Sequence, residues 1–185
     1  MRYVRQLQHI LILLCFVAGS ALLAGCDSGG DDGNGDGNGN GNGNGNSTFE
    51  VQITGEGIDE SFEGTAVWGT GEDPETGEDA FVLVMVAGTG TTSNAVYFYR
   101  ASDRPGEGTY ELVDIQGEVL DGFQAIAFLN NVIFGATGGT LTISSSSSSR
   151  VAGSFSFPAI NPVNQAEVTV EGTFNATSGV VNVPF

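Results

Sequence analysis

The 185-residue chain has no lysine, one histidine and two cysteines, and its whole cationic complement is five arginines against 22 acidic residues. Without lysine there is no Walker-type phosphate loop, no Schiff-base chemistry and no Ser-Lys dyad. The single histidine, His9, and one cysteine, Cys15, fall within the first 25 residues, and the other cysteine is Cys26. Beyond Cys26 there is therefore no Ser-His or Cys-His nucleophile pair, no His/Cys zinc site and no disulfide. The shortage of positive charge argues against nucleic acid and against anionic headgroups as partners. Long apolar runs are missing too. The one near the start, Ile10 to Phe16, thins into Ala18, Gly19, Ser20 and Ala21, short of the roughly 20 residues that a helical span needs.

That first stretch is organised nonetheless. A basic head (Arg2, Arg5), the apolar run and a small-residue site, Leu22-Leu23-Ala24-Gly25-Cys26, predict an export signal over residues 1–25. Leu23-Ala24-Gly25-Cys26 resembles the lipobox of bacterial lipoproteins. The resemblance implies cleavage between Gly25 and Cys26, a diacylglyceryl and palmitate-bearing Cys26, and a membrane of the cell envelope as the partner of that anchor. Asp27 next to the cysteine would hold such a protein in the inner membrane of some bacteria; the outer membrane is the expected location here. With residues 1–25 removed, Arg100, Arg104 and Arg150 stand against all 22 acids, a formal charge of −19. Self-repulsion of that size keeps a protein soluble, and a saline medium would screen it.

Residues 26–47 are rich in Gly, Asn and Asp and have no apolar surface with which to offset ordering entropy, so a flexible tether is expected. Asp32, Asn34 and Asp36, followed by Gly37, copy the first half of a calcium-binding EF-hand loop. The twelfth position, where a bidentate glutamate belongs, is Gly43. No metal or other cofactor is expected.

From residue 48 to 185 a single domain is expected, with about 135 residues to build one core. Period-two alternation marks strands: Phe49, Val51, Ile53; Phe62, Gly64, Ala66, Trp68; Val151, Gly153, Phe155, Phe157; Val168, Val170, Gly172, Phe174. Ala80 to Ala87 is an unbroken apolar run, read as a strand covered on both faces. Pro158 should end its ladder, the serines 144–149 should form a loop, and Val180 to Phe185 could add an edge strand. Nine or ten short strands with turn residues between them predict an all-β, antiparallel meander closing as a β-sandwich or an up-and-down barrel. Arg104-Pro105-Gly106-Glu107-Gly108-Thr109-Tyr110 and the strands around Gly139–Ile143, Val151–Phe157 and Val168–Phe174 resemble uncharacterised domains of envelope lipoproteins, a resemblance that implies location and fold class and no activity.

Carboxylates are what remains for catalysis, as in glycan-acting enzymes that need two facing acids. Alternation turns Glu50, Glu63, Glu111, Glu167 and Glu171 outward, leaving only Asp114 on a face shared with Tyr110 and Leu112. One inward acid is not a pair, and a non-enzymatic domain is expected. Trp68, Tyr97, Tyr99 and Tyr110 are the candidates to line a pocket for an apolar or sugar ligand, or else to fill the core. The acidic stretch 72–79 could hold calcium or be a solvated turn. Strands shorter than the roughly ten residues of a membrane strand argue against an outer-membrane barrel, despite the closing Phe185. The expected function is a lipid-anchored envelope module that binds a ligand or partner or serves a structural role; the alternatives are a carboxylate-dependent glycan-acting enzyme and a calcium-binding surface protein.

Overall fold

The computed structural model describes residues 47–55, 57–72, 77–88, 94–114 and 122–181. The export signal, Gly25 and Cys26, the tether with Asp32, Asn34 and Asp36, residues 73–76 of the acidic stretch and residues 182–185 lie outside that set.

Ten strands follow one another: β1 Thr48–Gly55, β2 Ile58–Glu72, β3 Asp79–Ala87, β4 Asn94–Arg100, β5 Gly108–Glu111, β6 Gln124–Leu129, β7 Val132–Ala136, β8 Thr140–Ser146, β9 Arg150–Ile160 and β10 Glu167–Ser178. No helix occurs among the described residues. Eight of the strands close a barrel in the order β1-β2-β3-β4-β6-β7-β9-β10, because β1 pairs antiparallel with both β2 and β10. Of the two closures left open by the sequence, the barrel is the one formed.

The two ends of the barrel are built differently. Past Thr48, β1 drops out and β2 meets β10 directly, in parallel, at Val67/Thr177 and Trp68/Ser178. At that same end, β9 exchanges its partner β7 for β8, which in turn carries β5. A bridge between Leu112 and Phe123 then ties β5 to the start of β6. The wall at the Trp68 end is thus rebuilt from β5 and β8.

Alternation explains what fills the inside. The inward positions carry Phe49, Phe81, Phe98, Phe134, Phe155, Phe157 and Phe174, with Leu83, Met85, Leu141 and Ile143 between them, all buried. Phe98 reaches across to Phe155 and Phe157, with ring centroids 5.0 and 5.9 Å away. An eight-stranded barrel is just wide enough for its own side chains to fill. Three inward glycines make the fit possible, each directly opposite a phenylalanine: Gly64 faces Phe49, Gly153 faces Phe174, and Gly172 faces Phe155. A Cβ on Gly172 would stand 2.6 Å from Cζ of Phe155, so the missing side chain is the space the ring occupies. On β3 the residues Ala80, Phe81, Val82 and Leu83 are all buried, so the strand is covered on both faces in its first half; Val84 and Val86 are half-buried on the outer face.

Turn chemistry closes the hairpins. Asn130 and Asn131, between the paired residues Leu129 and Val132, have φ of 51° and 67°. Two left-handed residues make a type I′ turn, whose twist matches that of the strands, and Asn tolerates that region better than most residues. Asn161, buried between β9 and β10, accepts the Val163 and Asn164 amides at 2.8 and 3.1 Å through Oδ1.

Several expectations need correction. Pro158 does not end its strand: β9 continues to Ile160. The Pro158 carbonyl accepts the Thr137 amide at 3.0 Å. Its missing N–H points the same way, into the gap where β8 stops and β7 begins, so no ladder bond is lost. Serines 144–146 belong to β8 rather than to a loop; Ser145 and Ser146 pair with Ala152 and Val151, Ser144 falls at the register shift before them, and the Ser147–Arg150 turn follows. Residues 180 and 181 add no strand. The strands are not uniformly short either: β2, β9 and β10 have 15, 11 and 12 residues. Strand length therefore does not separate this barrel from a membrane one; Glu50, Glu63, Glu167 and Glu171 stand exposed on the outer face, where charged side chains would be costly against lipid.

Candidate functional site

The rebuilt end of the barrel is where polar and aromatic chemistry meet. Strand register brings the residues there from distant parts of the chain. Trp68 comes from β2, Phe81 from β3, Arg100 from the last position of β4, Tyr110 from β5, and Phe123 from the residue before β6. Phe81 and Arg100 are direct cross-strand partners. The rings form a chain: Trp68 stacks on Phe81 at 5.9 Å, Phe81 meets Phe123 edge-on at 6.0 Å, and Phe123 meets Tyr110 at 5.4 Å.

Two of the three arginines beyond Cys26 lie on this chain. The guanidinium carbon of Arg100 is 5.2 Å from the Tyr110 ring centroid and 5.6 Å from that of Phe123. Arg104, in the connection between β4 and β5, is 5.5 Å from the Trp68 ring. Each distance is in the range of cation–π attraction. The connection is held against the barrel at two points. Tyr110 donates its hydroxyl to the Gly106 carbonyl at 2.9 Å, and Ser146 donates to the Pro105 carbonyl at 2.6 Å. Neither Arg100 nor Arg104 forms an ion pair among the described residues. Trp68 is only 6% exposed, and its indole Nε1–H has no acceptor among the described residues.

The four aromatic candidates divide. Trp68 and Tyr110 come together at this end, whereas Tyr97 and Tyr99 lie on the outer face of β4, because Val96, Phe98 and Arg100 take the inward one. Tyr97 packs edge-on against Phe128 at 5.5 Å, and burial raises its phenol pKa above the usual 10.0. The middle of the barrel is occupied by the rings of Phe98, Phe155 and Phe157 rather than by any of the four. Arg100 and Arg104 were not among the candidates. The signal for Arg100 lay in plain alternation: two residues after Phe98 on the same face, it places a cation inward.

The carboxylates lie elsewhere. Glu50 and Glu63 are direct cross-strand partners on the outside, and Ser156 donates its hydroxyl to Glu171 at 2.9 Å. Glu50, Glu63 and Glu171 border an open groove at β1, β2 and β10, whose lining also includes Val51, Phe62, Phe155 and Gly172 from the inward faces. Asp114, which alternation put on the inward face, is exposed beyond the end of β5. Among the described residues no group of three His, Cys, Asp or Glu is placed to hold a metal ion, and of the acidic stretch 72–79, Glu72, Glu78 and Asp79 are exposed.

No family model matches this chain, and neither a curated protein nor a solved structure similar to it was found.

Proposed function

We propose that the chain is a lipid-anchored protein of the bacterial cell envelope whose barrel is a non-enzymatic binding module, acting through its outer surface and its Trp68 end. The observation that supports a surface-acting module is the filling of the barrel. Phe98, Phe155 and Phe157 meet across its middle, at the place where a ligand-carrying barrel keeps its cavity. Recognition is then left to the ends and the outside.

The anchor is supported by the lipobox-like Leu23-Ala24-Gly25-Cys26 behind a basic head and an apolar run. A Gly/Asn tether of about 20 residues has a root-mean-square span of roughly 25 Å, enough to carry the barrel clear of a bilayer. The outer membrane is the favoured location, and palmitate on Cys26 the favoured modification. The test is metabolic labelling with palmitate in a bacterial host, on the wild type and on Cys26→Ser. Label in the wild type alone, with the protein in the membrane fraction, is the expected result. An unlabelled wild type that retains residues 1–25 would overturn the reading.

A further inference from the structure

We infer that the Trp68 end of the barrel binds an oxyanion, a carboxylate or phosphate carried by a compact ligand, on the guanidinium groups of Arg100 and Arg104. The inference deepens the reading of the barrel as a binding module and does not depend on the anchor.

The first observation is about charge. In a chain with 22 acids and three arginines beyond Cys26, an arginine has abundant carboxylates with which to pair. Arg100 and Arg104 pair with none among the described residues and lie over rings instead. A guanidinium held on an aromatic face keeps its in-plane N–H donors available, and that fork is the geometry that grips carboxylate or phosphate with two parallel hydrogen bonds.

The second is about burial. Arg100 is half-buried on the inward side of β4 and has no hydrogen-bond acceptor among the described residues. A cation that has lost part of its hydration and gained no acceptor is destabilised, and an arriving anion restores what was lost. The indole of Trp68, on which Arg104 lies, is nine-tenths buried, and its Nε1–H has no partner among the described residues. Unsatisfied buried donors are rare in folded proteins; here one belongs to the ring on whose face Arg104 lies.

The surroundings restrict the ligand. Asp103 and Glu107 stand exposed on the same connection, and Glu111 on β5. A long polyanion would meet these acids. A single charged group, as in a uronic acid or a sugar phosphate, reaches the arginines without doing so.

Trp68 is the only tryptophan in the chain, so its emission reports on this end alone. The processed protein, extracted in nonionic detergent, is titrated at constant ionic strength with inorganic phosphate, with glucuronate, and with glucose as the neutral control. The expected result is a saturable change with at least one anion and none with glucose; the anion that saturates at lower concentration identifies carboxylate or phosphate. Arg104→Gln, an exposed position whose substitution leaves the core untouched, weakens that binding by about tenfold or more, as does Arg100→Gln. No saturable change with either anion, an equal response to glucose, or Arg104→Gln binding as tightly as wild type would each overturn the inference. Palmitate labelling reads the anchor and this titration reads the barrel end, so each can fail without the other.

Discussion

Truncating Phe98 to alanine tests the filled interior. Phe98 is wholly buried, and its ring touches those of Phe155 and Phe157 from the far wall. The neighbours are fixed to strands hydrogen-bonded on both sides, so they relax little into the space left. A benzene ring leaves a void of roughly 100 Å³, worth about 2.4 kcal/mol at ~24 cal/mol per Å³. Loss of the ring's own burial adds about 2 kcal/mol. Phe98→Ala should therefore cost about 4 kcal/mol, inside the roughly 3–5 kcal/mol of buried Phe→Ala changes. For a domain of this size that lowers Tm by roughly 12–20 °C. Urea denaturation of wild type and variant, read by far-ultraviolet circular dichroism, gives the difference directly, provided the slopes agree. A loss below about 1 kcal/mol would refute the reasoning, because a ring bordering an open, hydrated lumen is the kind that can be removed at little cost.

Gly172→Ala places a Cβ 2.5 Å from the Glu50 carbonyl oxygen and 2.6 Å from Cζ of Phe155; the ring must move, and a loss of about 1–3 kcal/mol is expected in the same denaturation assay, partly recovered in Gly172→Ala/Phe155→Leu. At the type I′ turn, Asn131→Gly should leave stability unchanged or improve it, while Asn131→Val should cost about 1–2 kcal/mol, since a β-branched residue is forced to the φ of 67° seen there. Tyr97 holds its phenolic proton to higher pH in the folded barrel than in the unfolded chain, because burial disfavours the phenolate. Its contribution is thus complete below the ordinary phenol pKa of 10.0 and is lost as the pH climbs through the raised value. Urea midpoints measured across the alkaline range should fall less steeply for Tyr97→Phe than for wild type.

Much of the strand set was legible because alternation is a local property. Phe49-x-Val51-x-Ile53 and Val168-x-Val170-x-Gly172-x-Phe174 each declare an inward face, and the barrel uses those faces. Closure was not legible, since it depends on β1 finding β2 on one side and β10, more than a hundred residues away, on the other. The glycines at 64, 153 and 172 could be placed inward from the pattern; which phenylalanine each would face is a matter of register, and register is set between strands. Pro158 cannot be read from the sequence alone: the same residue breaks a ladder or fits a gap, depending on what lies beside its missing donor. At the candidate site the aromatic residues were visible and the arginines were not. Alternation alone places Arg100, two residues after Phe98, on the inward face of β4.

The most direct measurement is a titration of the wild-type protein with xenon, followed through the methyl resonances of Ile53, Leu83 and Met85 inside the barrel. All three are fully buried. Packing at ordinary protein density leaves no empty apolar site for the gas to occupy. The expected result is a small, linear drift of these signals with pressure. A saturable shift confined to them would reveal an internal cavity and contradict the filled barrel.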